Sequence, residues 1–365
     1  MKHEVQTVAN ERAILVQVVT RAQDRRYSEE SLSELERLAD TAGVKIAGSI
    51  VQNRSKPTPS FFVGEGKLTD IKLACRRTNA NLIIVDNELS PVQVNNLDIA
   101  VGVRVIDRTE LILQIFARRA RSAESQIQVE LAQLQYLVSR IPVSERQQRF
   151  KGGIGMRGPG ESPFQLRSAP MRRRIRDLKE KLEVIGQRRR TTRSKRQWPL
   201  VSLTGYTNAG KSTLLNALTE ADAYVDDRLF ATLDTKTRLV RLGAGTDILM
   251  TDTVGFIRNL PHGLVASFRS TLEEIAESNL LLIVAEASHP CVGDQVDVVM
   301  QTLADIGADK VPSILLLNKC DRCDATMSAG LRQKFPHAMP VSALNGAGLS
   351  EVKDAILHRL QAAPA

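Results

Sequence analysis

The sequence predicts an α/β protein: a C-terminal domain with a mostly parallel sheet and helices on both faces, preceded by a small parallel α/β domain and an antiparallel helical hairpin. Three observations support this prediction. Short apolar runs alternate with helical patterns in the first 106 residues, two helical seams follow, and a glycine-rich turn joins a strand to a helix after residue 204. We therefore divide the 365 residues into domains 1–106, 107–196 and 197–365.

The first domain is predicted from four apolar runs that are separated by helical patterns. Strands and helices that alternate in this way are typical of a small parallel α/β domain. The predicted strands are 13–16, 44–47, 82–85 and 103–106, and the predicted helices are about 29–42, 66–79 and 90–100.

Within this domain, Gly64-Glu65-Gly66-Lys67 is an incomplete match to a phosphate-binding loop. We interpret it as a turn that begins a helix. A second nucleotide site and a contact to RNA phosphate stay open as alternatives.

The hairpin is predicted from apolar residues spaced by three and four along two segments. Residues 107–141 are expected to form one long helix that ends before Pro142, and a second helix is expected downstream. Because both segments have the same seam, the two helices should pack against each other in antiparallel fashion. The first seam is Ile127, Leu131, Leu134, Val138 and Ile141, and the second is Met171, Ile175, Leu178, Leu182 and Ile185.

The two helices are joined by a predicted loop at 142–170, which has five glycines between Gly152 and Gly160. Long loops in compact proteins are usually functional or disordered. Arg149, Lys151 and Arg157 lie among the glycines, so the loop could approach phosphate closely and also supply charge. The alternative is a flexible connector.

Basic residues are concentrated in the second helix of the hairpin. Residues 172–196 include twelve Lys or Arg and three acidic residues, a net charge of +9, which equals the formal net charge of the whole chain. This concentration favours binding to nucleic acid through phosphate contacts, although basic runs are often solvated helix faces. The segment has no aromatic residue, and only 4% of the whole chain is aromatic, which favours structured RNA over stacked single strands.

The third domain contains Gly205–Ser212, which fits the phosphate-binding pattern G-x-x-x-x-G-K-[ST]. A predicted strand at 200–204 precedes it and a helix at 212–219 follows. The turn between them aims backbone N–H groups at phosphates, while Lys211 supplies a positive charge and the Ser212 hydroxyl a magnesium ligand.

Three further elements follow in order. Asp252 ends an apolar run and places a carboxylate near the metal, and the Gly255 N–H can sense a γ-phosphate. Asp321, in Asn318-Lys319-Cys320-Asp321, can accept two N–H bonds that guanine offers and adenine does not. Ser342-Ala343-Leu344 is the last element. Because each element serves a different part of one ligand, we predict a site for a guanine nucleotide with Mg²⁺.

The same segments resemble the HflX family of translation-associated GTPases, above all 205–212, 230–234 and 252–257. The resemblance extends upstream and covers nearly the whole chain. The N-terminal segments similar to the family are 11–13, 64–68, 107–113, 128–134, 152–155 and 158–161.

The resemblance implies a P-loop GTPase domain that hydrolyses GTP. It favours Thr232 as the second magnesium ligand beside Ser212, with Thr235 and Thr237 as rivals in the same loop. The implied catalytic residues are Lys211, Thr232, Asp252 and Gly255. The implied nucleotide-binding residues are Gly205, Tyr206, Thr207, Asn208, Ala209, Gly210, Lys211, Ser212, Thr213, Phe230, Ala231, Thr232, Leu233, Asp234, Asp252, Thr253, Val254, Gly255, Asn318, Lys319, Cys320, Asp321, Ser342, Ala343 and Leu344.

The position after Gly255 is Phe256, where Ras-like proteins have a glutamine that orients the attacking water. A phenyl ring cannot make that hydrogen bond. We therefore expect slow turnover by the protein alone and stimulation by a partner.

The resemblance also implies a partner. This is the large ribosomal subunit with its rRNA, contacted through the N-terminal domain, the glycine-rich loop and the basic helix 172–196. Residues 162–170 depart from the family pattern, which places the loop geometry in question. We expect a monomer.

Two functional hypotheses of different classes stay open. One is a GTP-driven switch that splits, recycles or helps assemble ribosomes. The other is an RNA-remodelling or subunit-assembly chaperone in which nucleotide turnover is incidental. An adenine-nucleotide enzyme acting through the N-terminal domain is a third.

Composition excludes other classes. No apolar stretch is long enough to span a membrane, and the N-terminus lacks the apolar core of a secretory signal, so we expect a cytoplasmic, partly ribosome-associated protein. Four cysteines are too few for a disulfide scaffold. Cys320 and Cys323 have metal or redox spacing, but a second pair is missing, so we do not predict such a site.

Overall fold

The computed structural model describes residues 7–20, 22–141, 163–193, 197–219, 228–243, 246–258 and 269–362. Within these ranges the backbone forms eleven α-helices and ten strands. The chain divides into two compact units, Met1–Arg118 with Gln126–Val184, and Arg119–Ser125 with Ile185–Ala365.

The first unit contains a four-stranded sheet of order β2-β1-β3-β4, in which every neighbouring pair is parallel. The small parallel α/β domain predicted from the sequence is therefore confirmed. The strands are β1 Arg12–Val19, β2 Lys45–Asn53, β3 Leu82–Val85 and β4 Arg104–Asp107, and the helices between them are α1 Ala22–Thr41, α2 Glu65–Thr78 and α3 Pro91–Val101.

Local chemistry explains where two of these helices begin. Ser90 and Gln93 form a capping box before α3, and Pro91 follows at a position where a missing N–H costs nothing. Gly64 precedes α2, and its N–H donates to the Gln52 side chain at 3.0 Å. The segment Gly64–Lys67 is thus the helix-start turn that we predicted.

The expectation of one long helix over 107–141 was wrong. The structure has two helices, α4 Arg108–Arg119 and α5 Ala123–Ser139. An N-terminal cap explains why a new helix begins here. Ser122 Oγ accepts the Ser125 N–H at 3.1 Å, which satisfies one of the free amides at the beginning of α5. Residues 120–122 separate the two helices.

The predicted seam is present between α5 and the next described helix, α6 Pro163–Arg193. Leu131, Leu134 and Leu178 are buried together, and Ile127, Met171, Ile175 and Leu182 pack against them. Glu130 pairs with Arg174, and the earlier Glu124 pairs with the later Arg189, so the helices are antiparallel.

The boundary of the predicted loop needs a correction, because α6 already begins at Pro163 and the loop cannot extend to 170. Proline is favoured in the first turn of a helix, where its missing N–H has no partner to lose. The glycine-rich segment itself, and the end of the basic run at 194–196, lie outside the described residues.

The second unit contains a six-stranded sheet of order β10-β9-β8-β5-β7-β6. Neighbouring strands are parallel except β6 and β7, and the predicted mostly parallel sheet is therefore confirmed. Its elements are β5 Leu200–Gly205, α7 Lys211–Thr219, β6 Lys236–Arg241, β7 Asp247–Asp252, α8 Arg269–Ala276, β8 Leu280–Glu286, α9 Val292–Asp305, β9 Ser313–Asn318, α10 Ala325–Lys334, β10 Met339–Pro340 and α11 Leu349–Ala362.

This topology positions the sequence motifs. The strands β5, β7 and β9 are parallel and consecutive motifs follow their carboxyl ends, so all three motifs lie at one edge of the sheet. Buried aliphatic residues of these strands pack with α7 and α11 and fix that edge. None of the described helices is long and apolar enough to cross a membrane.

Candidate functional site

The turn between β5 and α7 requires its glycines. Gly205 and Gly210 have φ values of 148° and 88°, which side chains disfavour. A Cβ at Gly205 would collide with the Val284 carbonyl oxygen, and one at Gly210 with the Asn318 side-chain amide. Asn208, at φ 61°, is the non-glycine residue of this turn in the left-handed region. The chain is thereby bent around a concave surface of backbone N–H groups.

Lys211, the first residue of α7, is buried under this turn. Its Nζ donates to the carbonyl oxygens of Tyr206 at 2.8 Å and Gly205 at 3.2 Å. Burial lowers the pKa of Lys211 to about 8, and the nearby Asp252 carboxylate opposes this shift. A buried ammonium held by carbonyl dipoles is a charge suited to an anionic ligand.

Three oxygen-bearing side chains converge beside Lys211. Ser212 Oγ donates to Asp252 Oδ2 at 2.5 Å, Thr232 Oγ1 donates to the same oxygen at 2.8 Å, and the two hydroxyls are 2.9 Å apart. Asp252 Oδ1 and Thr207 Oγ1 are buried and have no hydrogen-bond partner among the described residues. Hydroxyl and carboxylate oxygens in this arrangement suit a hard divalent cation such as Mg²⁺.

The rival threonines are placed elsewhere. Thr237 lies on β6, and its hydroxyl is 3.1 Å from the hydroxyl of Thr251 on the paired strand β7. Thr235 is not among the residues that line the cleft described below. Of the three threonines, Thr232 is the one that the fold brings to Ser212 and Asp252.

Gly255 and Phe256 have opposite environments. A Cβ on Gly255 would lie 2.9 Å from both Lys211 Nζ and the Thr207 backbone, so only glycine fits against the phosphate-binding turn. Phe256 is 1% exposed and packs in a core with Tyr206, Leu272 and Ile275. Its backbone pairs with the turn, since Phe256 N donates to Gly205 O at 3.0 Å and Phe256 O accepts the Thr207 N–H at 2.8 Å.

The elements predicted for the base are tied to the phosphate-binding turn through Asn318. Its Nδ2 donates to Ala209 O at 2.8 Å, and its Oδ1 accepts the Ala343 N–H at 3.0 Å. Asp321 Oδ1 accepts a hydrogen bond from Ser342 Oγ at 2.5 Å, which orients the carboxylate. These contacts join three separate loops into one surface.

Lys319 completes this surface with a left-handed backbone, at φ 62°. Its Nζ donates to Glu286 Oε2 at 2.7 Å. The neighbouring thiols of Cys320 and Cys323 are partly buried, and burial, followed by the negative charges nearby, raises the pKa of each. No disulfide joins the described cysteines.

The turn, the threonine segment and the glycine segment line an open cleft with about 520 Å³ of empty space, part of which is open to solvent. Twelve of the residues implied by the sequence line it, and Asp252 adjoins it through Ser212 and Thr232. Asp321, Ser342 and Leu344 are not among the lining residues. Arg228 also lines the cleft, although the sequence did not predict it. The feature that could have indicated it is its position as a basic residue just before the 230–234 motif. The lining residues are Thr207, Asn208, Gly210, Lys211, Ser212, Thr213, Arg228, Phe230, Ala231, Thr232, Thr253, Gly255 and Lys319.

Two of the predicted motif residues point to other partners. Asp234 turns its carboxylate to Arg121 and Ser122. Leu233 is buried in the unit's interior.

Comparison with known protein families accounts for most of the chain. Residues 29–117 match the model described as "GTP-binding GTPase N-terminal", and residues 119–196 match "GTP-binding GTPase Middle Region". Residues 200–319 match the model described as "50S ribosome-binding GTPase".

Individual relatives agree. The chain is 45% identical to the GTPase HflX of Caldanaerobacter subterraneus subsp. tengcongensis, covering 96% of this chain and 81% of that protein. It is 42% identical to the GTPase HflX of Escherichia coli, over 96% and 83% of the two chains. A crystal structure of a GTP-binding protein from Sulfolobus solfataricus in complex with GDP is similar over 96% and 99% of the chains, with 25% identity and a TM-score of 0.50. The resemblance noted in the sequence is thereby confirmed: the chain belongs to the HflX family of GTPases.

Proposed function

We propose that this GTPase binds GTP with Mg²⁺ in the cleft around Lys211 and uses hydrolysis as a switch on the large ribosomal subunit. The observation that supports the nucleotide site most directly is the convergence of Ser212, Thr232 and Asp252 beside a buried lysine, with Asp252 Oδ1 left without a partner. The remaining roles follow from the position of each group.

The phosphates belong at the turn Gly205–Thr213, where backbone N–H groups and the N-terminus of α7 favour negative charge. Lys211 would exchange its carbonyl partners for phosphate oxygens. Gly255 would present its N–H to the γ-phosphate. Asp321 would read guanine, with Asn318, Lys319 and Ala343 holding the base-recognition loops in position.

The residues present fit a magnesium ion. Ser212 and Thr232 would hold it, and the Asp252 carboxylate would face it through its partnerless oxygen. When bound, Mg²⁺ neutralises charge that develops on the phosphate oxygens. Thr232 is the residue that distinguishes the two nucleotide states in this scheme, because its hydroxyl contributes only while its segment is seated in the cleft.

Phe256 explains why we expect slow turnover by the protein alone. Its ring is part of the core, so this position supplies no hydrogen-bonding side chain for the attacking water. We therefore expect large ribosomal subunits to raise the rate of GTP hydrolysis by at least tenfold, since orientation of the water would come from the docked state. Equal rates with and without subunits would contradict this expectation.

The proposed partner surface is the basic face of α6. Arg172, Arg173 and Arg176 are exposed there, as are Lys179 and Lys181. Such a face suits the backbone of structured RNA. The description of the matched GTPase-domain family also names the 50S ribosome. We propose cytoplasmic, ribosome-associated action by a monomer that splits, recycles or helps assemble ribosomes.

Cosedimentation with ribosomal subunits at graded salt tests this function. We expect binding to the large subunit to be at least tenfold tighter with a non-hydrolysable GTP analogue than with GDP, and to weaken steeply with salt. Equal binding in both nucleotide states would remove the switch. The chaperone alternative predicts that result, and it also predicts that Asp252→Ala abolishes GTP turnover without affecting action on ribosomes.

A further inference from the structure

The carboxylate of Asp234 anchors the beginning of helix α5. It accepts the Arg121 N–H at 3.1 Å and the Ser122 N–H at 3.2 Å through Oδ2, and the Ser122 hydroxyl at 2.6 Å through Oδ1. These residues belong to Arg119–Ser125, which clusters with the GTPase unit although the chain on either side of it belongs to the N-terminal unit. The contact joins residues that are more than a hundred positions apart in the sequence.

The dipole of helix α5 strengthens its contact with Asp234. Ser122 is also the capping residue of α5, because its Oγ accepts the Ser125 N–H at 3.1 Å. Asp234 therefore places a negative charge at the positive end of a 17-residue helix, a stabilising arrangement. Burial raises the pKa of Asp234, but the hydrogen bonds from Ser122, Ser125 and Arg121 outweigh that effect and its pKa is lowered overall.

Asp234 is only two residues from Thr232, whose hydroxyl lies against Ser212 and Asp252. Two residues of extended chain span at most about 7 Å. Thr232 therefore cannot move far from the cleft unless Asp234 moves with it. Leu233 between them is buried, which makes the segment stiff. The contact between Asp234 and Ser122 is therefore linked to the position of Thr232 in the cleft.

We propose that Asp234 is a positioning residue: its carboxylate, held at the N-terminus of α5, keeps Thr232 in the cleft and makes the affinity for GTP depend on the segment Arg119–Ser125. This rests on the proposed role of Thr232 as the residue that senses GTP. Coupling between two sites is reciprocal, so GTP binding in turn strengthens the anchor of α5. The helix that begins at this anchor continues into the N-terminal unit.

The test uses Ser122, which is not part of the nucleotide site, in the full-length protein. Ser122→Asp keeps a side chain that caps helices as well as serine but sets a second carboxylate against Asp234. Ser122→Ala removes both the cap and the hydrogen bond. Ser139→Ala, the same change near the other end of α5, is the matched control because its hydroxyl donates to a backbone carbonyl on the helix itself.

The measurement is the affinity of each variant for fluorescent GDP and for a fluorescent non-hydrolysable GTP analogue with Mg²⁺. We expect Ser122→Asp to weaken the GTP analogue by about tenfold and to leave GDP within about twofold, with Ser122→Ala intermediate and Ser139→Ala unchanged. If the role of Ser122 is only structural, Ser122→Ala should weaken the GTP analogue more than Ser122→Asp does. Ser122→Asp should then bind it with nearly the affinity of the unmodified protein. That order, or an equal loss for both nucleotides, would overturn the proposal.

The ribosome is absent from this experiment, so its outcome is separable from that of the proposed function. If cosedimentation were independent of nucleotide while Ser122→Asp still lost GTP selectivity, the switch on the ribosome would fail and the role of Asp234 would stand. If cosedimentation depended on the nucleotide while Ser122→Asp kept its GTP selectivity, the role of Asp234 would be refuted and the ribosomal switch would stand.

Discussion

The two units each place polar residues at the carboxyl edge of a parallel sheet, but they use them in opposite ways. In the N-terminal unit, Arg108 follows β4 and donates to Asp86 Oδ1 at 2.7 Å and to Glu34. Gln17 and Ser31 donate to the other Asp86 oxygen. The charged groups of Arg108, Asp86 and Glu34 are buried and pair with each other.

In the GTPase unit, the corresponding edge leaves polar groups directed at a cleft. Lys211 donates to backbone carbonyls and has no carboxylate within salt-bridge distance among the described residues, and Asp252 Oδ1 has no partner. Parallel sheets commonly bind ligands at this edge. The edge of a parallel sheet therefore does not by itself define a ligand site. The decisive feature is whether its charges are already paired within the protein.

The largest effect that this comparison predicts is on stability, at Arg108. Arg108→Ala would leave the Glu34 and Asp86 carboxylates buried without their cation, because their side chains are only 3% and 6% exposed. We expect the free energy of unfolding of the N-terminal unit to fall by about 3–5 kcal/mol. Urea unfolding of the full chain, with Arg77→Ala on the exposed face of α2 as control, measures it.

A small loss for Arg108→Ala would contradict the comparison, since it would mean that the network is open to water or ligand. Replacement of Arg108, Glu34 and Asp86 by leucine, together with Gln17→Leu and Ser31→Ala so that neither donor to Asp86 is left unpaired, gives a second test. If the network is only structural, this variant should recover much of the stability lost in Arg108→Ala, as apolar replacements of buried ion networks can.

The second prediction concerns Lys211, where we expect a loss of function rather than of stability. Lys211→Ala should lower GTP turnover by at least about 100-fold, or about 2.7 kcal/mol, because a preorganised charge next to the phosphates is removed. Its unfolding free energy should not fall as that of Arg108→Ala does, because removing a buried ammonium relieves a desolvation cost. Single-turnover hydrolysis and urea unfolding, with the exposed Lys310→Ala as control, separate the two. A loss of stability equal to that of Arg108→Ala would make the two sheet edges alike.

Much of this contrast could be predicted from the sequence, for a physical reason. Glycines and ligand-binding side chains follow strands at fixed offsets, so Gly205–Ser212, Asp252 and Asn318 could be placed on one sheet edge from local patterns. The break between α4 and α5 could not, because residues 117–126 contain neither glycine nor proline and the capping role of Ser122 gives only a weak local signal. The bond between Ser122 and Asp234 depends on tertiary structure, and no local pattern records it.

The third prediction concerns the thiols in the two units and their dependence on pH. Burial raises the pKa of Cys75 in the first unit, and burial with nearby carboxylates raises the pKa of Cys320 and Cys323 in the second. The thiolate is the reactive form, so iodoacetamide should alkylate Cys320 and Cys323 more slowly than a free cysteine peptide at pH 8. The rate should rise about tenfold per pH unit until the raised pKa is passed.

Mass spectrometry of the folded protein measures the modification at each site. Cys75, which is 4% exposed, should stay unmodified until the unit unfolds. Cys320 and Cys323 should react in the folded state, and GDP should slow Cys320 if its loop closes on the base. Alkylation at pH 8 as fast as in the free peptide would show that burial and the nearby negative charges do not raise the pKa of these thiols.

The smallest effect is predicted for Arg174, which tests whether burial or pairing makes Arg108 important. Arg174 Nε and Nη2 bind the two oxygens of Glu130 at 2.7 and 2.8 Å, a geometry as good as that of Arg108. Both side chains are more than 40% exposed, however, so water screens the pair and solvates either charge when it is alone. Arg174→Gln should therefore lower the unfolding free energy by less than about 1 kcal/mol, with Arg173→Gln on the same helix as control. A loss as large as that of Arg108→Ala would mean that pairing, and not burial, sets the stability of this unit, and the distinction between the two sheet edges would lose its basis.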